Sequence, residues 1–276
     1  MTTIHPPPAH TLAAARLGAR APSLIVQVAL MTRRSLLTLL RTPEAVVPNL
    51  LISVFLLLIF NGALGATAAL VPELQGVAYV AFLLPFTLIT AVLDSPGGQA
   101  MIRDLSSGYF DKLLLTPIRR VALVLGHIIA SGLLAVVVAA ALLALGLLLG
   151  LRPAAGMISL LVVLLFALLI GTGFAGFTIG IALRTGSAAA TQGASFAFFP
   201  LAFLSSAFVP LDYLQGWLRL AAQLNPVTTI LNALRTLLIT GWDARTLGIG
   251  LLASVLVSLL PLGFALASLH ARTRRR

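Results

Sequence analysis

A chain of 276 residues that is 59% apolar and 9% charged, where soluble domains carry about 25% charge, needs a second apolar solvent, and a lipid bilayer is the one that fits. Its net charge of +11 comes from 17 arginines and one lysine against seven acids, an excess that reads as membrane sidedness and attraction to anionic lipid, with no nucleic acid implied as partner. The absence of cysteine excludes disulfides, thiolate catalysis and Fe–S clusters, the lone Lys112 lies in Phe110-Asp111-Lys112-Leu113 and not in a Gly-Lys-Ser/Thr phosphate loop, and the scattered His5, His10, His127 and His270 predict no metal site.

In chain order, residues 1–22, with prolines 6–8 and Arg16 and Arg20, lack an apolar stretch long enough for a signal peptide and read as a disordered leader. Residues 23–42 alternate apolar residues with Gln27, Arg33 and Arg34 and end at Thr42-Pro43. Two arginines at a span centre would cost about 2.5–3.5 kcal/mol each, so this segment is expected to lie on the membrane surface as an interfacial helix. Six charge-free runs then meet the length of about 20 residues that a spanning helix needs: 45–72, 74–93, 121–151, 153–183, 185–211 and 246–270. The fold expected is an all-α membrane protein in which residues 43–276 form a single six-span domain.

With six spans the termini share a side. Lysine and arginine then divide 14 to 4 in favour of the terminal side, which places both termini in the cytoplasm of a multi-pass protein of the cell membrane. Tyr79, Tyr213, Trp217 and Trp242 fall near the opposite interface, where such rings anchor. Gly171-Thr172-Gly173-Phe174-Ala175-Gly176 matches a dinucleotide fingerprint but sits mid-span, so we read it, with Gly180, as a helix-packing stripe.

Three segments depart from a plain bundle. Residues 103–120 place Tyr109, Phe110 and three leucines among charges, which suits a short amphipathic helix; docking on a partner and lying on the membrane both stay open. Residues 210–243 are too long for a turn, and Asn225-Pro226 interrupts their apolar stretch. A re-entrant or interfacial pair of half-helices is expected, with Arg219 and Arg235 at its edges facing outer water, against the alternative of an ordinary amphipathic loop. Asp94, near the end of the second run, reads as a hydrated structural residue near the interface in preference to a proton relay.

Together these features resemble the permease subunit of an ATP-binding cassette transporter of the ABC-2 family, of the daunorubicin-resistance type. Two patches carry the resemblance: Asp104 through Arg120, with Gly108-Tyr109-Phe110-Asp111-Lys112-Leu113-Leu114-Leu115-Thr116-Pro117-Ile118-Arg119-Arg120, and Phe203-Leu204-Ser205-Ser206-Ala207-Phe208-Val209-Pro210 followed by Asn225-Pro226 and Arg235. The chain departs from many relatives at residues 100–107, where they carry a Glu-Arg-rich stretch.

The resemblance implies that Asp104, Gly108, Tyr109, Asp111, Lys112, Leu113, Leu114, Thr116, Pro117 and Arg119 belong to a coupling loop that docks on a separate ATPase. Residues 23–42 become a connecting helix, and Pro210, Asn225, Pro226 and Arg235 mark the outer re-entrant segment between spans five and six. It implies as partners an ABC ATPase dimer, a second copy or a homologous permease, and membrane lipid. ATP and Mg belong to the ATPase, so this chain is expected to be a transport subunit with no cofactor or catalytic residue of its own. With few charges inside the spans, the cargo expected is hydrophobic or amphipathic, such as a drug, lipid or glycolipid. Phe196, Phe198, Phe199 and Phe203 could line the pathway, or equally face lipid or pack between helices. The rival in another class is an ion-coupled secondary transporter, which would need intramembrane carboxylates and finds only Asp94.

Overall fold

The computed structural model describes residues 22–68, 78–93, 96–196, 198–208 and 210–274, and among them every regular element is helical. The leader 1–21 and Asp94 lie outside the described residues. Twelve helices are labelled here in chain order: α1 Leu24–Leu40, α2 Val47–Ala68, α3 Tyr79–Leu93, α4 Gly97–Ser106, α5 Tyr109–Leu114, α6 Arg120–Leu148, α7 Ile158–Thr185, α8 Ala188–Phe196, α9 Phe198–Phe203, α10 Gly216–Leu224, α11 Pro226–Arg235 and α12 Ala244–Arg274.

Five stretches among the described residues are long and apolar enough to cross a bilayer: Val47–Ala66, Tyr79–Ser106, Arg120–Leu148, Ile158–Thr185 and Ala244–Arg274. The run expected to supply another, 185–211, is not one of them. Its helices α8 and α9 are each shorter than a span, residue 197 between them is outside the described residues, and regular structure stops at Phe203. The stop has a cause: the Ser205 hydroxyl turns back onto the Ala202 carbonyl, and the Ser206 and Ala207 carbonyls are taken by the Arg235 guanidinium.

α7 is the hub, packed against α12, α6, α4, α8 and α3. Small residues set these approaches. A Cβ built on Gly173 would stand 2.5 Å from the Val257 carbonyl oxygen of α12, and one on Gly176 would stand 3.1 Å from the backbone of Pro261 and Leu262. The G-x-G-x-x-G run is therefore a packing stripe, as expected for membrane helices that meet through small residues. α3 is enclosed on nearly every side, with Phe86, Leu83 and Leu84 fully buried. α2 and α12 instead expose apolar side chains, among them Phe55, Ile59, Leu252 and Leu260, the arrangement of helices that face lipid.

α1 is amphipathic with its faces reversed relative to a soluble helix. Gln27, Thr32 and Ser35 are buried against the bundle, while Ile25 is 80% exposed and Val26, Leu30 and Leu40 are also exposed. Ser23 caps its N-terminus, accepting from the Val26 amide at 3.4 Å. Leu39 is buried with the three polar residues, and Arg33 is exposed among the apolar ones.

Candidate functional site

The 103–120 segment is built from two short helices and the corner between them. α4 ends at Ser106, Gly108 takes φ +68°, and α5 follows from Tyr109 to Leu114. A left-handed residue here must carry no side chain to be unstrained, which is why glycine makes the turn. Thr116 closes α5, its hydroxyl donating to the Leu113 carbonyl at 2.6 Å. Pro117 follows, and the chain enters α6 at Arg119-Arg120, where the Arg119 amide donates to the Gln27 side chain at 2.8 Å.

At the centre of this end stands Asp104. Arg34 of α1 donates to both of its carboxylate oxygens, at 2.5 and 2.9 Å, and His127 of α6 lies 3.0 Å from one of them. The same guanidinium stacks 3.9 Å from the centroid of the Tyr109 ring of α5. The Asp104 and His127 side chains are only 13% and 8% exposed, and a two-point Arg–carboxylate pair in such surroundings fixes geometry as well as charge. Hydrogen bonding to Asp104 raises the Arg34 pKa above its ordinary value, outweighing the opposing effect of burial. Side chains of α1, α4 and α6 thus meet at one carboxylate, and α5 joins them through the Tyr109 ring on Arg34.

Asp104 is therefore turned into the protein, and the part of the segment offered outward is narrower than the sequence suggests. Phe110 is 2% exposed, packed in a cluster with Met101, Leu123, Ile179 and Leu183, against which Leu113 also rests. What projects is Lys112, Leu115, Thr116 and Pro117, with Leu115 89% exposed. Asp111 is half-buried and engaged; the Leu114 side chain lies outside the described residues.

The 210–243 segment folds as two short helices broken at Asn225-Pro226. Asn225 caps α11, accepting from the Val227 amide at 2.9 Å and donating to the Leu201 carbonyl at 2.6 Å, while Pro226 occupies the first helical position. Pro210 begins the turn that leads to α10. Arg219 is exposed, 3.6 Å from Asp212. Arg235 does not. It is 7% exposed, donates to the carbonyls of Phe82 (3.0 Å), Ser206 (2.6 Å) and Ala207 (2.6 Å), and stacks 3.5 Å from the Phe82 ring. The expectation that it faces water is corrected because the segment after α9 and the first turn of α3 bring it carbonyls, which satisfy buried N–H groups as water would.

The aromatic candidates separate. Phe198 packs edge-on to Phe174 and Phe177, and Phe203 meets Phe86 and Phe208, so both belong to helix packing. Phe196 lines a cavity with Gln192 and Ser195; the Phe199 side chain lies outside the described residues. Among the described residues no group of His, Asp and Glu could hold a metal ion.

The profile of the ABC-2 type transporter family matches residues 26–239, from the first turn of α1 to the end of α11 and its following turn. The chain belongs to the ABC-2 type transporter family. It is similar to the probable doxorubicin resistance ABC transporter permease protein DrrC of Mycobacterium tuberculosis, 24% identical over 213 residues that cover 76% of each chain. It is similar too to the daunorubicin resistance ABC transporter permease protein DrrB1 of Streptomyces coeruleorubidus, 25% identical over 208 residues, covering 74% of this chain and 72% of that one. The ABC-2 chain is thus a multi-pass membrane permease.

The sequence alone singled out Asp104 and Tyr109 of this ABC-2 site but missed Arg34 and His127. One signal was present for Arg34: Gln27, Arg34 and Thr38 recur at helical spacing on α1, a polar stripe on one face of the helix.

Proposed function

We propose that this chain is the permease subunit of an ABC exporter that moves hydrophobic or amphipathic cargo out of the cytoplasm or the inner leaflet. A separate ATPase dimer docks on the 103–120 segment and supplies ATP and Mg, and the pathway is completed by a second copy of the chain or a homologous permease. The topology is six spans, with α8 and α9 belonging to the fifth, α10 and α11 forming the outer re-entrant pair, and both termini in the cytoplasm of a cell-membrane protein. The drugs in the names of its relatives point to a drug as cargo, and a lipid or glycolipid meets the same physical requirement.

The observation that carries this reading is the Arg34–Asp104–His127 cluster with Tyr109 stacked upon it. It makes the projecting tip, Lys112 and Leu115–Pro117, part of one body with α1, α4 and α6. A push on the tip is then transmitted to spanning helices as a rigid-body movement, the usual way in which such switches work. An ion-coupled mechanism gains no support from the same geometry, because the Asp104 carboxylate is already occupied by a guanidinium.

Because the chain has no cysteine, Leu115→Cys gives a single reactive thiol at the tip. Co-expressed with a P-loop ATPase from a neighbouring reading frame, it is expected to crosslink to that subunit, and Leu115→Asp is expected to abolish stimulation of ATP hydrolysis by the permease. A well-folded Leu115→Cys chain that never crosslinks, with unaltered hydrolysis in Leu115→Asp, would refute the docking assignment.

A further inference from the structure

Two cavities between α2, α4 and α8 share a wall. The larger, about 370 Å³, has a polar lining that includes Glu44, Gln99, Arg103 and Thr191. The smaller, about 70 Å³, is lined chiefly by Ile52, Leu56, Leu93 and Phe196. Asn49, Gln192 and Ser195 line both. The polar and apolar parts are ordered in the same sense along α2, α8 and the α3–α4 wall, with Ser53 and Thr90 as polar exceptions in the smaller cavity. On α2 the lining passes from Asn49 to Leu56, about 10 Å along a helix, and on α8 from Gln192 to Phe196, about 6 Å. On the third wall Arg103 and Gln99 of α4 border the polar part and Leu93 of α3 the apolar part. A hydrogen bond from Gln99 to Gln192, 3.2 Å, and another from Gln99 to the Ala188 carbonyl, 3.2 Å, tie α4 to α8 across the polar part.

We infer that this cleft within a single chain is a loading site for an amphiphile. Its head sits among Glu44, Gln99, Arg103 and Gln192, and its apolar body lies along Ile52, Leu56 and Phe196. The 370 Å³ polar part falls in the size range of small-molecule sites, and the adjoining 70 Å³ apolar recess receives the first part of the apolar body. The charges specify the head. Among the described residues, one carboxylate and one guanidinium, Glu44 and Arg103, border the polar part, so a zwitterionic or neutral hydrogen-bonding head matches them, and a head of single charge leaves one of the two unmatched. A zwitterionic lipid and a zwitterionic drug share this chemistry. The role as a loading site rests on the exporter reading; occupancy by an amphiphile does not.

Ser195→Cys places the sole thiol of the chain where the two parts join. In nanodiscs, the rate of its labelling by N-ethylmaleimide is measured with and without rhodamine B, a zwitterionic dye, or lysophosphatidylethanolamine. A probe at about four times its dissociation constant is expected to slow labelling about fivefold, while Leu115→Cys at the exposed tip of the 103–120 segment is unaffected. Protection by both probes supports the shared site, and protection by one alone supports it and names the source as drug-like or lipid-like. In the Ser195→Cys background, Glu44→Gln and Arg103→Gln are each expected to weaken protection, which reports on the head and not on packing. Equal slowing at both positions, no slowing, a thiol that never labels, or a disulfide between two copies at position 195 would overturn the site. Protection without a crosslink at Leu115→Cys would retain the site and remove the exporter reading; a crosslink without protection would do the reverse.

Discussion

Two arginines, Arg34 and Arg235, anchor opposite kinds of junction. Arg34 is half-buried and holds a carboxylate that a histidine also approaches, so three ionisable groups from three helices share one contact. Arg235 is almost wholly buried and is held by three carbonyls and an aromatic face, with no acid among its hydrogen-bond partners. A charge pair carries directional, two-point geometry and can be reset by moving either partner. A guanidinium clamped on backbone carbonyls instead fixes the chain path of three segments: the start of α3, the end of α9 and α11. The first arrangement suits a part that transmits movement, and the second suits a part that must stay shut or open as a unit.

The comparison can be broken most severely at the carbonyl clamp. Arg235→Leu leaves the Phe82, Ser206 and Ala207 carbonyls buried without donors, a loss of about 3–5 kcal/mol by analogy with other broken buried charge sites. Its expected outcome is a large fall in folded yield and in melting temperature in detergent. Asp104→Asn keeps a polar amide beside the buried His127 and leaves Arg34, whose side chain is 31% exposed, in reach of solvent, so a smaller loss, about 2 kcal/mol, is expected. Gly173→Val, which touches neither arginine, drives a side chain into the α12 backbone and should cost about 1–3 kcal/mol, showing how much of the stability belongs to the α7–α12 seam. The smallest effect belongs to the projecting tip: Lys112→Ala should change stability by less than about 0.5 kcal/mol while weakening capture of the ATPase in a pull-down. A destabilisation by Lys112→Ala as large as that of Asp104→Asn would erase the distinction between strut and tip.

Much of this was legible from residue order alone, for a physical reason. Spans are set by the length of apolar chain needed to cross hydrocarbon, so charge-free runs located α2, α3, α6, α7 and α12. Asn225-Pro226 marked a helix break because both the missing amide and the capping side chain are local properties. The glycine run in α7 was readable as packing for the same reason. Burial of Arg235 was not readable, since an arginine after a broken apolar stretch looks solvent-facing until the carbonyls of residues 206 and 207 are brought to it from 28 or 29 positions away. Nor was the Arg34–Asp104 pair, whose partners are 70 positions apart. The run 185–211 was long enough to predict one span, yet its regular structure ends where those same carbonyls turn away.

The central claim is that Arg34 and Asp104 act as one unit that couples the tip to the spans. The direct test is a double-mutant cycle on ATP hydrolysis by the assembled permease–ATPase complex, using Arg34→Gln, Asp104→Asn and both together. Each single change is expected to lower the permease-stimulated rate without dispersing the complex, and the double to lower it no further than the worse single change. Fully additive losses, or rates equal to that of the unaltered chain, would contradict the account.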